Sequence, residues 1–239
     1  MQITTKAIVI SSLKYSEADL IVKCFTEECG LKSYLLKNIL KSKKGKLRTS
    51  YFQPLTLLEI TANHKDKGSL EFIQEAKVCF ANQTLYTHII KTSIVLFLSE
   101  ILKSVIQEEE KNKALFSFLE KSILWLDSNN EVANFHLLFL HRLTDFLGFY
   151  PDDTEIHLPY FNLLEGVFQN ESTHIYCILI SENSGFKRLF GIKFDTINSL
   201  KLTKKERKNT LEILLMYYEL HIQGFKKPKS LQVFNQLFN

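Results

Sequence analysis

The spacing of apolar and polar positions changes character near residue 80. Before that point, apolar residues fall in short runs rich in β-branched side chains. In residues 3–13 the alternation is partial, with Ala7, Val9 and Ser11 facing one way and Ile8 and Ile10 the other. Runs at 20–26, 31–39, 54–62 and 69–80 follow. The last two are split by the polar stretch Asn63-His64-Lys65-Asp66-Lys67-Gly68. Gly30 and Gly68 stand where a hairpin wants positive φ. Five short strands with tight turns suit a closed or partly open barrel, because closure hides the sheet edges. Of the joints, 39–50 is the longest and most basic.

Beyond residue 84 the period becomes helical. Leu85, Ile89, Ile94, Phe97, Leu98, Ile101, Leu102 and Val105 form one long stripe, and Leu115, Phe118, Leu119, Ser122, Ile123 and Leu126 a second. The second helix stops at Asp127-Ser128-Asn129-Asn130, and Asn130 is placed to cap a third that carries Phe135, Leu138, Phe139, Arg142, Leu143 and Phe146 until Gly148. Residues 150–180 lack a clean period and read as a loop-rich insert; within them 175–180 fits a short strand or a helix start equally well. Thr203-Lys204-Lys205-Glu206 matches a capping box and opens a last helix, running to about Gly224. The pattern predicts an α+β chain: a five-stranded barrel over 1–80 and a mainly α-helical domain over 81–239.

Composition is that of an ordered globular protein, with 45% hydrophobic and 23% charged residues in 239. No basic-then-apolar leader and no run of about 18 apolar residues occurs, so the reading is a soluble cytoplasmic chain with no membrane role. Cys24, Cys29, Cys79 and Cys177 show no paired zinc spacing. Cys24 and Cys29 flank a turn where a disulfide is conceivable, but a cytoplasmic location argues against it. Charge is uneven. Residues 1–80 carry 13 Lys/Arg against 8 Asp/Glu (+5), residues 81–200 carry 9 against 15 (−6), and residues 201–239 carry 8 against 3 (+5), which sums to the overall +4. Two basic ends around an acidic middle point to a polyanion surface shared by the ends.

Catalytic signatures are absent: no phosphate-cradling GxxxxGK[ST], no GxGxxG after a strand, no HExxH and no GxSxG. Glu108-Glu109-Glu110 point in different directions on a helix and do not converge on a metal, while His136 and His141 sit about 140° apart around one. No catalytic residue, metal or cofactor is expected. The sharpest local feature is Lys37, Lys41, Lys43, Lys44, Lys46 and Arg48, six cations in twelve residues. On an inter-strand loop they make a flexible arm for phosphates, the contacts that dominate sequence-neutral nucleic-acid binding. Lys14 and Lys32 on the barrel, and Lys226, Lys227 and Lys229 in the tail, complete the candidate DNA-binding set. Tyr34, Tyr51 and Phe52 are candidate stacking faces, at least one of them core.

Three segments together resemble a family. Ala7-Ile8-Val9-Ile10, then Tyr15-Ser16-Glu17-Ala18-Asp19-Leu20-Ile21-Val22, then Phe25-Thr26-Glu27-Glu28-Cys29-Gly30-Leu31 are similar to the opening of the RecO recombination mediators. The lysine-rich loop before Phe52-Gln53-Pro54-Leu55 lies in the matching place. Tyr218-Glu219-Leu220-His221 with Lys226-Lys227-Pro228-Lys229-Ser230-Leu231 resembles the family's close. The resemblance implies an N-terminal OB-fold before a helical domain, and binding of single- and double-stranded DNA with annealing of complementary strands. It also implies a non-catalytic role in repair and homologous recombination in the bacterial cytoplasm, at the nucleoid. As partners it implies RecR, with which the family loads the RecA recombinase, and the acidic C-terminal tail of the single-strand-binding protein. Arg142, with Phe135 and Phe139 on the same helix, matches the region tied to that tail. Many relatives carry a four-cysteine zinc module around 150–180. Only Cys177 is present here, so packing must hold that segment. A protein-interaction adaptor that does not bind DNA, and an enzyme with an unannounced site, are the competing readings.

Overall fold

The computed structural model describes residues 2–41, 47–64, 70–107 and 110–238. They form two compact units, 1–128 and 129–239. In the first, strands β1 (Gln2–Lys14), β2 (Leu20–Thr26), β3 (Gly30–Leu36), β4 (Leu57–Asn63) and β5 (Phe72–Val78) make an antiparallel sheet of order β3-β2-β1-β4-β5. The edges then meet. Leu35 N donates to Glu71 O at 2.9 Å and Glu71 N to Ser33 O at 2.9 Å, joining β3 to β5 in parallel. The result is a closed five-stranded barrel of the OB type, the fold the sequence implied.

Strand residues that point inward are small or β-branched where strands crowd. Ala7, Val9, Val22, Cys24, Ile60 and Ala62 share the interior with Tyr34, whose hydroxyl bonds His64 Nε2 at 2.9 Å. Cys24 is inert, because burial pushes its thiol up to about 12. All four cysteines are free thiols. Ile8 and Ile10 are also buried, on the opposite face of β1, where helix α1 (Ile89–Val105) packs. A bulge between Val9 and Ser11 turns the strand. The fourth strand begins at Leu57, later than the sequence pattern predicts. Pro54 has no N–H to donate, and Leu55 takes φ +61° so that its N–H reaches Val9 O at 2.7 Å. Similarly β3 ends at Leu36 because Asn38 turns the chain at φ +57°, a conformation Asn tolerates. Gly30 makes its turn at φ +64°; Gly68 lies outside the described residues.

Helix α2 (Lys113–Ser128) completes the unit, with Phe116 against Phe25 and Glu120 paired to Lys6 at 2.8 Å. Its end carries a buried polar cluster that the sequence did not announce. The Asp127 carboxylate accepts from the N–H groups of Gln83, Thr84 and Leu85 at 2.8–3.0 Å. Lys91, almost fully buried on α1, donates to Thr84 Oγ1 at 2.7 Å and to the Asp127 carbonyl at 2.8 Å. Burial opposes ionisation of Asp127, but the donated hydrogen bonds outweigh it and hold the carboxyl below its ordinary value. Desolvation lowers Lys91, against the attraction of Asp127.

The second unit is built on helices α3 (Phe135–Phe146) and α5 (Lys204–His221), which pack together. Helix α3 starts after Asn134 rather than Asn130: Val132 is buried first, and its carbonyl accepts from Phe135 N at 3.1 Å. The capping box at Thr203–Glu206 forms as the spacing predicts. Residues 150–180 hold a small antiparallel sheet, β7-β6-β8, from β6 (Tyr160–Asn162), β7 (Val167–Gln169) and β8 (Cys177–Leu179). Phe161 at its centre packs on Phe168 and on Phe186 of the short helix α4 (Ser184–Lys187). Gly166 turns at φ +70°, and a Cβ there would lie 2.5 Å from Tyr217 Oη, so only glycine fits. The C-terminal helix α6 (Leu231–Phe238) places Phe234 and Phe238 edge-on to His136. No described helix is long and apolar enough to cross a membrane.

Two consequences are testable. Asp127→Ala leaves three backbone donors without their acceptor and the buried Lys91 ammonium, which keeps its two oxygen acceptors, without the neighbouring negative charge, and is expected to cost about 3–5 kcal/mol in denaturant unfolding. A loss below 1 kcal/mol would remove the cluster as a structural keystone. His136 and His141 are buried, and desolvation, with the nearby charges of Arg207 and Arg142, lowers both to about 3. The unfolded chain protonates both near pH 6.5 while the folded chain does not, so stability falls as pH drops below 6.5 and goes on falling toward pH 3. Each contributes a slope approaching about 1.4 kcal/mol per pH unit. Unfolding curves between pH 7 and 5 should show this, and His141→Phe should remove roughly half the slope.

Candidate nucleic-acid interface

One end of the barrel gathers loops that the sequence keeps apart. The β1–β2 turn, residues 15–19, is shaped by Ser16 Oγ, which accepts from Ala18 N and Asp19 N at 3.2 Å. The chain leaving β3 docks on it. Asn38 N donates to Asp19 Oδ1 at 2.7 Å, Leu40 N to Ala18 O at 3.0 Å, and Lys41 pairs with Glu17 at 3.3 Å. The Asn38 N–H and then Ser16 hold the Asp19 carboxyl below its ordinary value, with Lys37 and Lys41 adding to the effect. Barrel closure brings in a third segment, setting Phe72 under Lys37, whose Nζ lies 5.5 Å from the ring centre.

On this frame Lys14, Lys37, Lys41 and Arg48 are exposed, and Lys32 is half-buried on β3 opposite Cys24. Lys43, Lys44 and Lys46 lie outside the described residues. The Lys41–Glu17 bridge is solvent-exposed on both sides, and such pairs contribute little to stability. Of the proposed stacking faces, Tyr34 and Phe52 are core residues and Tyr51 is half-buried against the same core. The aromatic rings that do reach solvent here are Tyr15, 62% exposed beside Leu13 at 67%, and Phe72 at 39%. Sequence reasoning missed both. The signal available was Leu13-Lys14-Tyr15, an apolar–cation–aromatic triplet entering a tight turn where no core requires it.

In the second unit, Lys226, Lys227 and Lys229 are exposed around the buried Pro228, and Lys227 pairs with Glu219 at 2.9 Å. Phe135 and Phe139 are both buried, their tilted rings packing on each other and, for Phe135, on Phe194. They form part of the interior rather than of the surface. Arg142 is half-buried, with Nη2 donating to Ile192 O at 2.8 Å. Among the described residues no cluster of three or more His, Cys, Asp and Glu side chains is placed to hold a metal ion. Cys177 Sγ lies 3.8 Å from the ring nitrogens of His174.

Removing the Asp19 carboxylate should release the β3 exit from the β1–β2 turn. In Asp19→Ala, amide exchange at Asn38 is expected to quicken on the order of tenfold while β1 amides keep their protection. Equal protection in both proteins would mean that other contacts hold the loops together.

Comparison with known proteins gives matches along nearly the whole chain. A family model described as Recombination protein O N terminal matches residues 1–81, and one described as Recombination protein O C terminal matches residues 86–232. Relatives called DNA repair protein RecO include those of Christiangramia forsetii, 52% identical over 238 residues, and Flavobacterium johnsoniae, 49% identical over 240, each covering 100% of both chains. That of Porphyromonas gingivalis is 33% identical over 247 residues at the same coverage.

Proposed function

The chain belongs to the RecO family of DNA repair and recombination proteins, and from that membership we propose that it is a non-catalytic strand-annealing mediator acting in the cytoplasm. The supporting observation is the end of the barrel where exposed Lys37 lies over the Phe72 ring, Lys41 is held on the β1–β2 turn by Glu17, and exposed Lys14 and Tyr15 adjoin in that turn. Exposed cations neutralise a phosphate backbone. Exposed rings offer stacking faces that every base can use, which suits binding without sequence preference. OB-folds commonly bind oligonucleotides through the β1–β2 and β4–β5 loops, and Tyr15 lies in the first of these while Phe72 directly follows the second.

Annealing then needs no bond made or broken. Lysines of the barrel arm, including Lys43, Lys44 and Lys46, and those of the tail, Lys226, Lys227 and Lys229, reduce the repulsion between two strands while bases pair. Single- and double-stranded DNA are both substrates for such contacts. RecR and the acidic tail of single-strand-binding protein are the protein partners that this reading carries, the tail meeting the α3 face that bears Arg142. Because Phe135 and Phe139 are interior, their part in that contact is to shape the face from beneath.

Fluorescent oligonucleotide binding and annealing across a salt series test the proposal. Affinity should fall steeply with salt, with a slope of about −0.7 per phosphate contact on single strands. Changing Lys41, Lys43, Lys44 and Lys46 together to Ala should flatten that slope by up to about 3 and slow annealing. Unchanged affinity at low salt would take the arm out of the mechanism, and a chain that binds no oligonucleotide would instead favour a pure protein adaptor.

A further inference from the structure

The basic end of the barrel contains acids of two kinds. Glu17 and Asp19 stand two residues apart in the β1–β2 turn, among the cations themselves. A carboxylate there repels an approaching phosphate backbone, so by charge alone the loss of either should tighten polyanion binding. Their hydrogen bonds set them apart.

Asp19 is bonded to backbone. Its Oδ1 accepts from Asn38 N at 2.7 Å, and its carbonyl accepts from Tyr15 N at 3.0 Å, which closes the turn. Asn38 takes φ +57°, and its own carbonyl accepts from Lys41 N at 3.2 Å. The carboxylate therefore clamps the left-handed residue that reverses the chain between Lys37 and Lys41. Both lysines are exposed, and both lie close enough to Asp19 to favour its ionised form. Ile39, between them, is buried in the barrel core and fastens the segment from inside. What Asp19 adds is the orientation of the turn rather than its attachment.

Glu17 does something else. Among the described residues its carboxylate meets Lys41 Nζ at 3.3 Å and takes no backbone N–H, with 91% of the side chain exposed. It neutralises a lysine without placing one.

We propose that Asp19 is a positioning residue for strand binding: by holding Asn38 it presets Lys37 and Lys41, and this gain exceeds the repulsion that its own charge brings. The inference rests on reading this end of the barrel as a nucleic-acid surface, and it names the acid on which the order of that surface depends. Cations ordered before contact lose less conformational freedom when a strand arrives. The repulsion from one exposed carboxylate is largely screened beyond about 8 Å at physiological salt.

The test compares the unaltered full chain with Asp19→Ala, Asp19→Asn and Glu17→Ala, each titrated with a fluorescent oligothymidylate across a salt series. Ala removes both charge and acceptor at position 19, whereas Asn removes the charge and keeps an acceptor for Asn38 N. Asp19→Ala should bind about fivefold more weakly at low salt, with a slope flatter by roughly 0.7 for each lysine no longer placed. Asp19→Asn should bind as tightly as the unaltered chain or up to about twofold tighter. Glu17→Ala, the same change of charge two residues away, should behave like Asp19→Asn. Protection of β1 amides from exchange should be the same in all four proteins. Several results overturn the inference and leave the proposed function standing: affinity in Asp19→Ala equal to or above that of the unaltered chain, equal losses in Asp19→Ala and Asp19→Asn, a loss in Glu17→Ala as large as in Asp19→Ala, or β1 amides that lose protection in Asp19→Ala. Absence of oligonucleotide binding by the unaltered chain overturns both.

Discussion

Two backbone hydrogen bonds, Leu35 to Glu71 and Glu71 to Ser33, turn a sheet into a barrel. Without them β3 and β5 would be open edges, each offering unpaired N–H and C=O groups to another chain. With them, the residue after Glu71 is carried to the β3 exit, and Phe72 lies beneath Lys37. The neighbouring β1–β2 turn is fastened to the same exit through Asp19. Three loops distant in sequence thus share one end of the barrel because its edges are sealed. The grouping of cations and rings there follows from topology rather than from any one loop's preference.

Much of this was legible in the residues. Strand and helix runs follow from period-2 and period-3.6 patterns, and the Thr203–Glu206 cap from its spacing. What escaped depends on backbone geometry or long-range pairing. Leu55 looks like a strand residue, yet it adopts a left-handed conformation in which its N–H reaches Val9 O, a partner forty-six positions away. Asn130 looks like a cap, but Val132 is buried first and the helix waits for Asn134. Asp127 reads as a helix stop, and nothing local says that three backbone donors more than forty residues away converge on it. Residues 150–180 lack a period because the strands there are three residues long, too short for alternation to show.

At the candidate interface, charge was more legible than shape. Lysines announce themselves by composition, whereas the choice between core and exposed aromatics is settled by strand register. Tyr34 faces inward opposite Val22, while Tyr15 lies in a turn beyond the paired part of β1. In the second unit the same lesson applies to Phe135 and Phe139. Their spacing marks an apolar stripe, but the stripe faces the interior, and the α3 residue that reaches outward among those singled out is Arg142, itself tied to Ile192.

Burial of β1 on both faces carries a further consequence for dissecting the molecule. Cutting the chain after β5 to obtain the barrel by itself would strip α1 from Ile8 and Ile10, and Phe116 from Phe25. A patch that the intact unit keeps dry would become the most apolar surface of the fragment. Such a fragment would self-associate through that patch. The smallest portion of the N-terminal unit suited to study in isolation therefore ends beyond α2, not at the last strand.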